Sequence, residues 1–160
     1  MRIGFLCFAV CALAAGPAAA EWQFRWAGTS AGVWTTNADG TSLALSCDRR
    51  RDGRMRVEYT VAPTANATGD ATGAVFEIGG AVTEVQVEAY VPSGGRLQIM
   101  RSDLAYDDPE IVALRAQLSG GNRVSLPAQA AFEAASFDLR GSGAALRQLE
   151  EACAQIWEQG

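Results

Sequence analysis

Five arginines fall within eight residues: Arg49, Arg50, Arg51, Arg54 and Arg56. Planar guanidinium groups grip carboxylate or phosphate through paired hydrogen bonds, so a hairpin tip carrying them suits a nucleotide, an acidic glycan or an acidic protein patch. The plainer reading is a charged hairpin that stays soluble and discourages edge pairing, with Asp48, Asp52 and Glu58 diluting the positive charge. These five are the candidate binding residues.

The acids offer less. Asp103, Asp107, Asp108 and Glu110 have the oxygen ligands calcium prefers but not the spaced loop of a calcium motif, and favourable charge at a helix N-terminus accounts for three of them. No metal site is expected. Glu84 and Glu88 share a strand face, yet four residues of strand separate them by roughly 13 Å, too far for glycoside hydrolysis by either stereochemical route. A carboxylate-based glycan hydrolase would need two acids distant in sequence and close in space.

Other chemistries lack their residues. The chain has no histidine and no lysine, so Ser-His-Asp and Cys-His catalysis, the commonest zinc sets and Schiff-base chemistry are all unsupported. Gly79-Gly80 and Gly94-Gly95 lie between strands and read as turns rather than phosphate loops. No cofactor and no catalytic residue are expected. Trp22, Trp26, Trp34 and Tyr90 offer a possible aromatic binding surface, although core filling is the commoner role for tryptophan. Asn66-Ala67-Thr68 matches a glycosylation sequon. The formal charge of −5 lacks the positive field that steers proteins onto nucleic acid or anionic lipid, so neither is an expected partner.

The first twenty residues have an export signal's layout: Arg2, an apolar run from Ile3 to about Ala15, Gly16-Pro17, and Ala18-Ala19-Ala20. Small residues at the cleavage positions predict a mature chain beginning at Glu21, a single periplasmic domain over 21–160 with no membrane span. A retained span would need a longer apolar run. A lipid anchor is disfavoured because Leu6 and Val10 precede Cys7 and Cys11. Cleavage leaves Cys47 and Cys153, which in an oxidising compartment have one possible pairing; two separate buried thiols are the alternative.

The elements that position these groups are mostly strands. Trp22, Phe24 and Trp26 alternate with Gln23 and Arg25, predicting a half-buried strand with the aromatics inward. Further strands are expected over 32–36, 42–47, 54–61, 74–78, 81–91, 96–101, 123–127 and about 132–140, with the segment 62–73 as a loop. Asp52-Gly53 supplies a hairpin turn, and Cys47 falls on the apolar side of its strand. Asp107-Asp108-Pro109-Glu110 starts a short helix with Ile111, Leu114 and Leu118 as its stripe. A last helix, with Ser142 as N-cap, carries Leu146, Leu149, Cys153 and Ile156 on one face. Both cysteines point inward, which favours a staple between helix and sheet. The fold class is mainly β, an antiparallel β-sandwich or barrel-like sheet with the C-terminal helix packed on it.

The run Phe137-Asp138-Leu139-Arg140-Gly141-Ser142, followed by Ala144, Ala145, Leu146, Leu149 and Cys153, resembles the ending of small exported proteins of Gram-negative bacteria. In that broad group, which resembles the invasion-associated locus B proteins, a strand reading F-x-L-x-G leads into a helix closing with Ala-Cys. The similarity spans the leader, Cys47 and about twenty C-terminal residues; the Trp-x-x-x-Cys opening of those proteins is absent, since Trp34 lies 13 positions before Cys47. The resemblance implies a periplasmic β-rich domain with an accessory or envelope-associated role, and no catalytic residue. The expectation is therefore a non-enzymatic domain that binds a protein or envelope component through a sheet face or the arginine hairpin. A carboxylate glycan hydrolase and a carrier with a cavity between sheets are the alternatives.

Overall fold

The computed structural model describes residues 21–51, 53–61, 71–90, 98–129 and 133–159. The export leader, Asp52, the sequon at Asn66 and the turn at Pro92 to Gly95 lie outside the described residues. Among the described residues, nine strands form one antiparallel sheet: β1 (Gln23–Trp26), β2 (Ser30–Thr36), β3 (Ser42–Asp48), β4 (Arg54–Val61), β5 (Ala71–Ile78), β6 (Ala81–Tyr90), β7 (Gln98–Ala105), β8 (Arg123–Leu126) and β9 (Ala135–Asp138). Their order across the sheet is β1-β2-β3-β4-β7-β6-β5-β8-β9. Two helices, α1 (Pro109–Gly120) and α2 (Ser142–Glu158), pack against it and against each other. Of the two expected architectures, the barrel-like sheet is the one present.

Alternation decides which face is dry. Leu43, Leu45 and Cys47 of β3, and Met55, Val57, Tyr59 and Val61 of β4, are essentially inaccessible, while Ser42, Ala44, Ser46, Arg56 and Glu58 between them are only half-buried. Helix α2 lays Ala145, Leu146, Leu149, Cys153 and Ile156 onto β1, β2 and β3. There Cys47 and Cys153 form a disulfide across a Cα separation of 5.9 Å, joining sheet to helix. Helix α1 lies against β5, β6 and α2.

The two ends of the strand order meet. The Trp22 indole donates to the Asp138 carbonyl at 3.1 Å, and the Asn37 side-chain amide donates to the Ser136 carbonyl at 3.2 Å. Side chains from the β1–β2 end thus close a seam with β9, which has no backbone ladder to either strand.

The ladder also opens in the middle. Strand β6 pairs with β7 only where Glu88, Ala89 and Tyr90 oppose Arg101, Met100 and Ile99, after which the two strands have no further pairing. Gly79 and Gly80, at φ 58° and 85°, make the two-residue hairpin turn that joins β5 to β6 with Ile78 opposite Ala81. Hydrogen-bonded pairs then recur at every second residue, so Thr83, Val85 and Val87 bond to β5. Val82, Glu84 and Gln86 turn their backbone groups toward the opening, where they have no backbone partner among the described residues.

Several local expectations need correction. Ser142 is not an N-cap: Gly141, at φ 84°, makes the turn, and Ser142 is the first helical residue. Its buried hydroxyl instead lies 2.6 Å from the carbonyls of both Leu118 and Leu139, sharing its one proton between the end of α1 and the turn whose Leu139 oxygen also accepts from the Ser142 amide. Trp26 is not inward but 44% exposed, with its indole donating to Gly28 at the end of a four-residue edge strand. Strand β5 begins at Ala71, inside the segment read as loop, because Ala71, Thr72 and Gly73 pair with Glu88, Val87 and Gln86. Strand β9 is confined to four residues because its only backbone partner, β8, has four.

Candidate functional site

The hairpin joining β3 to β4 opens with a single 3-10 turn, Arg49–Arg51, started by the Asp48 carboxylate accepting from the Arg50 amide at 2.8 Å. Arg49 reaches the Gln159 side chain at 3.4 Å, and Arg51 lies 3.5 Å from Asp103. Among the described residues, no carboxylate lies within 4.0 Å of Arg49 or Arg50.

Asp103 gathers the rest. From β7, directly opposite Arg56, it accepts from Arg56 Nε at 3.0 Å and Nη2 at 2.7 Å, while Arg54 donates to its backbone carbonyl at 2.8 Å. Partial burial by itself pushes the Asp103 carboxyl upward. The hydrogen bond from Arg56 and the charges of Arg56, Arg51 and Arg101 outweigh that and hold it below its ordinary value. One register step along, Arg101 pairs with Glu58 at 3.1 Å. The structure therefore brings Arg51, Arg54 and Arg56 together around one acid and leaves Arg49 and Arg50 outside that cluster.

The acids read as possible metal ligands are dispersed. Asp103 serves the arginines, and Asp108 caps α1 by accepting from the Glu110 amide at 2.9 Å. Among the described residues, no group of three or more Asp, Glu or Cys side chains is arranged to hold a metal ion. Glu84 and Glu88 lie on the wet face of β6, with Glu88 opposite Arg101. A Cβ on Gly73 would collide with the Glu84 carboxylate, which lies across the neighbouring strand β5. Burial pushes the Tyr59 phenol well above its usual range; this ring stands edge-on to Phe76 in the core.

A groove of about 310 Å³ runs beside the arginine turn, lined by Arg25, Ser30, Gly32, Trp34, Asp48 and Arg51 among others. Its shape follows from strand register. Arg25, Gly32, Ser46 and Arg56 stand in one row across β1 to β4, so two small residues lie between two arginines whose Cα atoms are about 14 Å apart by strand spacing. Trp34 walls one end from the next row, and Asp48, opposite Ser30, closes the other. Gly32 is no backbone necessity: its φ is not positive, and an added Cβ would meet only ordinary contacts at 3.4 and 3.5 Å. A glycine at such a position leaves the groove's floor open.

Trp34 is legible in the sequence as a candidate aromatic, whereas Arg25 and Gly32 carry a fainter signal. The available signal was an arginine on the wet side of an aromatic strand, followed by an unforced glycine inside the next strand. Trp22 proves structural and Trp26 partly exposed, while the Tyr90 side chain lies outside the described ones. No helix among the described residues is long and apolar enough to cross a membrane. No protein-family model, curated protein or solved structure matches the chain. Fold and site define a nine-stranded antiparallel sheet closed on two helices, with an arginine-flanked groove on its wet face.

Proposed function

We propose that the protein is an exported, non-enzymatic domain that binds a protein or cell-envelope component through the wet face of its sheet, where the arginine turn meets β1 and β2. The observation that carries this reading is the groove: cations on both flanks, an aromatic wall and a floor of small residues are a recognition surface. Hydrolysis of glycans is less well supported, because Asp48 is the groove's one carboxylate and is already engaged by the Arg50 amide. The carrier reading is also weaker, since Tyr59, Phe76 and Phe137 fill the space inside the sheet.

The test is site-specific photocrosslinking in intact cells, with benzoylphenylalanine at Ser30 in the groove and, as control, at the exposed Gln148 of α2. A discrete adduct is expected from position 30 and not from 148, reduced when Arg25 and Arg51 are replaced by alanine. The reading fails if position 30 gives no adduct. Fractionation and N-terminal sequencing test export: the mature chain should begin at Glu21.

A further inference from the structure

The groove sets two arginines beside one acid. Arg25 has no carboxylate within 4.0 Å among the described residues, and Arg51 is held by Asp103 only at 3.5 Å, so both guanidinium groups have donors to spare. Arg25 and Arg51 share a lining whose floor is the small Gly32–Ser46 pair, which suits a slim group held by both guanidinium groups. Asp48 in the same lining opposes a phosphate dianion; one of its oxygens holds the Arg50 amide, and the other is an acceptor for an N–H group of the kind a peptide presents beside its carboxylates. Ser30 and Ser46 add hydroxyls that donate or accept.

Resting on the proposed wet-face binding, we infer that the occupant is an extended acidic peptide segment. Its Glu or Asp side chain lies between Arg25 and Arg51, its backbone crosses Gly32, and its aliphatic atoms rest on Trp34. Alternate residues of an extended chain share one side, so a Glu-x-Glu segment presents two carboxylates to the groove together.

The test is fluorescence anisotropy of the mature protein with a rhodamine-labelled Gly-Glu-Ala-Glu-Gly peptide, compared with its Gln and Lys counterparts. The Glu peptide should bind saturably, at least tenfold more tightly than the Gln peptide, and more weakly as salt is raised. Arg25→Gln and Gly32→Val should each reduce binding at least fivefold, while Arg147→Gln, exposed on α2 at the opposite face of the sheet, should leave it within twofold. Unchanged thermal melting of Gly32→Val separates a filled groove from a lost fold, and Arg25→Gln reports independently, because its side chain is exposed. Equal binding of Glu and Gln peptides, or no loss in Arg25→Gln, overturns the inference. Binding of pyrophosphate or anionic phospholipid vesicles in place of the Glu peptide also overturns it. If the position-30 crosslink persists while the Glu peptide fails to bind, the acidic-peptide assignment alone falls; loss of both removes the wet-face reading as well.

Discussion

Removing the Asp103 carboxylate releases Arg56 and Arg51 together, which makes it the most informative single atom group on the wet face. The Arg56 pair is bidentate but partly solvent-exposed, so Asp103→Asn should cost about 1 kcal/mol at neutral pH, near the upper end for such pairs. The sign of the pH dependence follows from the lowered carboxyl. A group held below its unfolded value contributes fully above that value and loses its contribution as pH falls through the folded one. Urea melts of wild type and variant should therefore differ most at neutral pH and converge progressively below pH 3.8; a gap that widens in acid contradicts the assignment. Sequence placed Asp103 beside Asp107 and Asp108 because they are neighbours in the chain. Its true partner, Arg56, is 47 residues away, a relation visible only once β4 lies against β7. Arg115 shows the same limit. Its charge gives no sign of burial in the sequence, yet it is buried, lies 3.7 Å over the Tyr106 ring and donates to Glu150 of α2 at 3.0 Å.

Strands differ in how clearly their residues announce them. Strands β3, β4 and β6 alternate apolar with polar side chains and are legible almost to their ends. The start of β5 is not, since Ala71, Thr72 and Gly73 carry no such contrast and become strand because β6 supplies a partner. The opening between β6 and β7 is likewise absent from the pattern, because alternation reports which face is dry and says nothing about lateral pairing. Hydrogen exchange reads that difference directly. The amides of Val82, Glu84 and Gln86 should exchange markedly faster than those of Thr83, Val85 and Val87, which bond to β5. Uniform protection along β6 would mean the opening is filled. The disulfide belongs to the same scale: linking residues 106 apart should stabilise the fold by roughly 4–5 kcal/mol in the chain-entropy account. Thiol labelling under native conditions should find neither cysteine, and reduction should lower the melting temperature while α2 loses protection first.

At the scale of the molecule, closure depends on few bonds. The sheet's ends are joined by two side-chain donors, whereas its interior is held by ladders and by the residues pressed against α1 and α2. Trp22 has a double role, filling core volume at 7% exposure while its indole N–H holds the Asp138 carbonyl. Trp22→Phe keeps most of the ring burial and removes the donor, so it should cost about 1 kcal/mol for the hydrogen bond and a further amount for the smaller ring. Combined with Asn37→Ala, it leaves the seam without either side-chain bond. Because Cys47 and Cys153 fix α2 to β3, the rest of the barrel-like sheet need not follow. Exchange should therefore rise in β1 and β9 and stay unchanged in β3 and α2. A global rise of equal size everywhere would show instead that the seam is coupled to the whole core, and would place the weak point of the fold elsewhere. The groove lies on β1, β2 and β3, so the same double variant also loosens one of its flanks, Arg25, while leaving Arg51 in place. Weaker crosslinking at position 30 in that background, with β3 still protected, would tie recognition at the wet face to closure of the sheet.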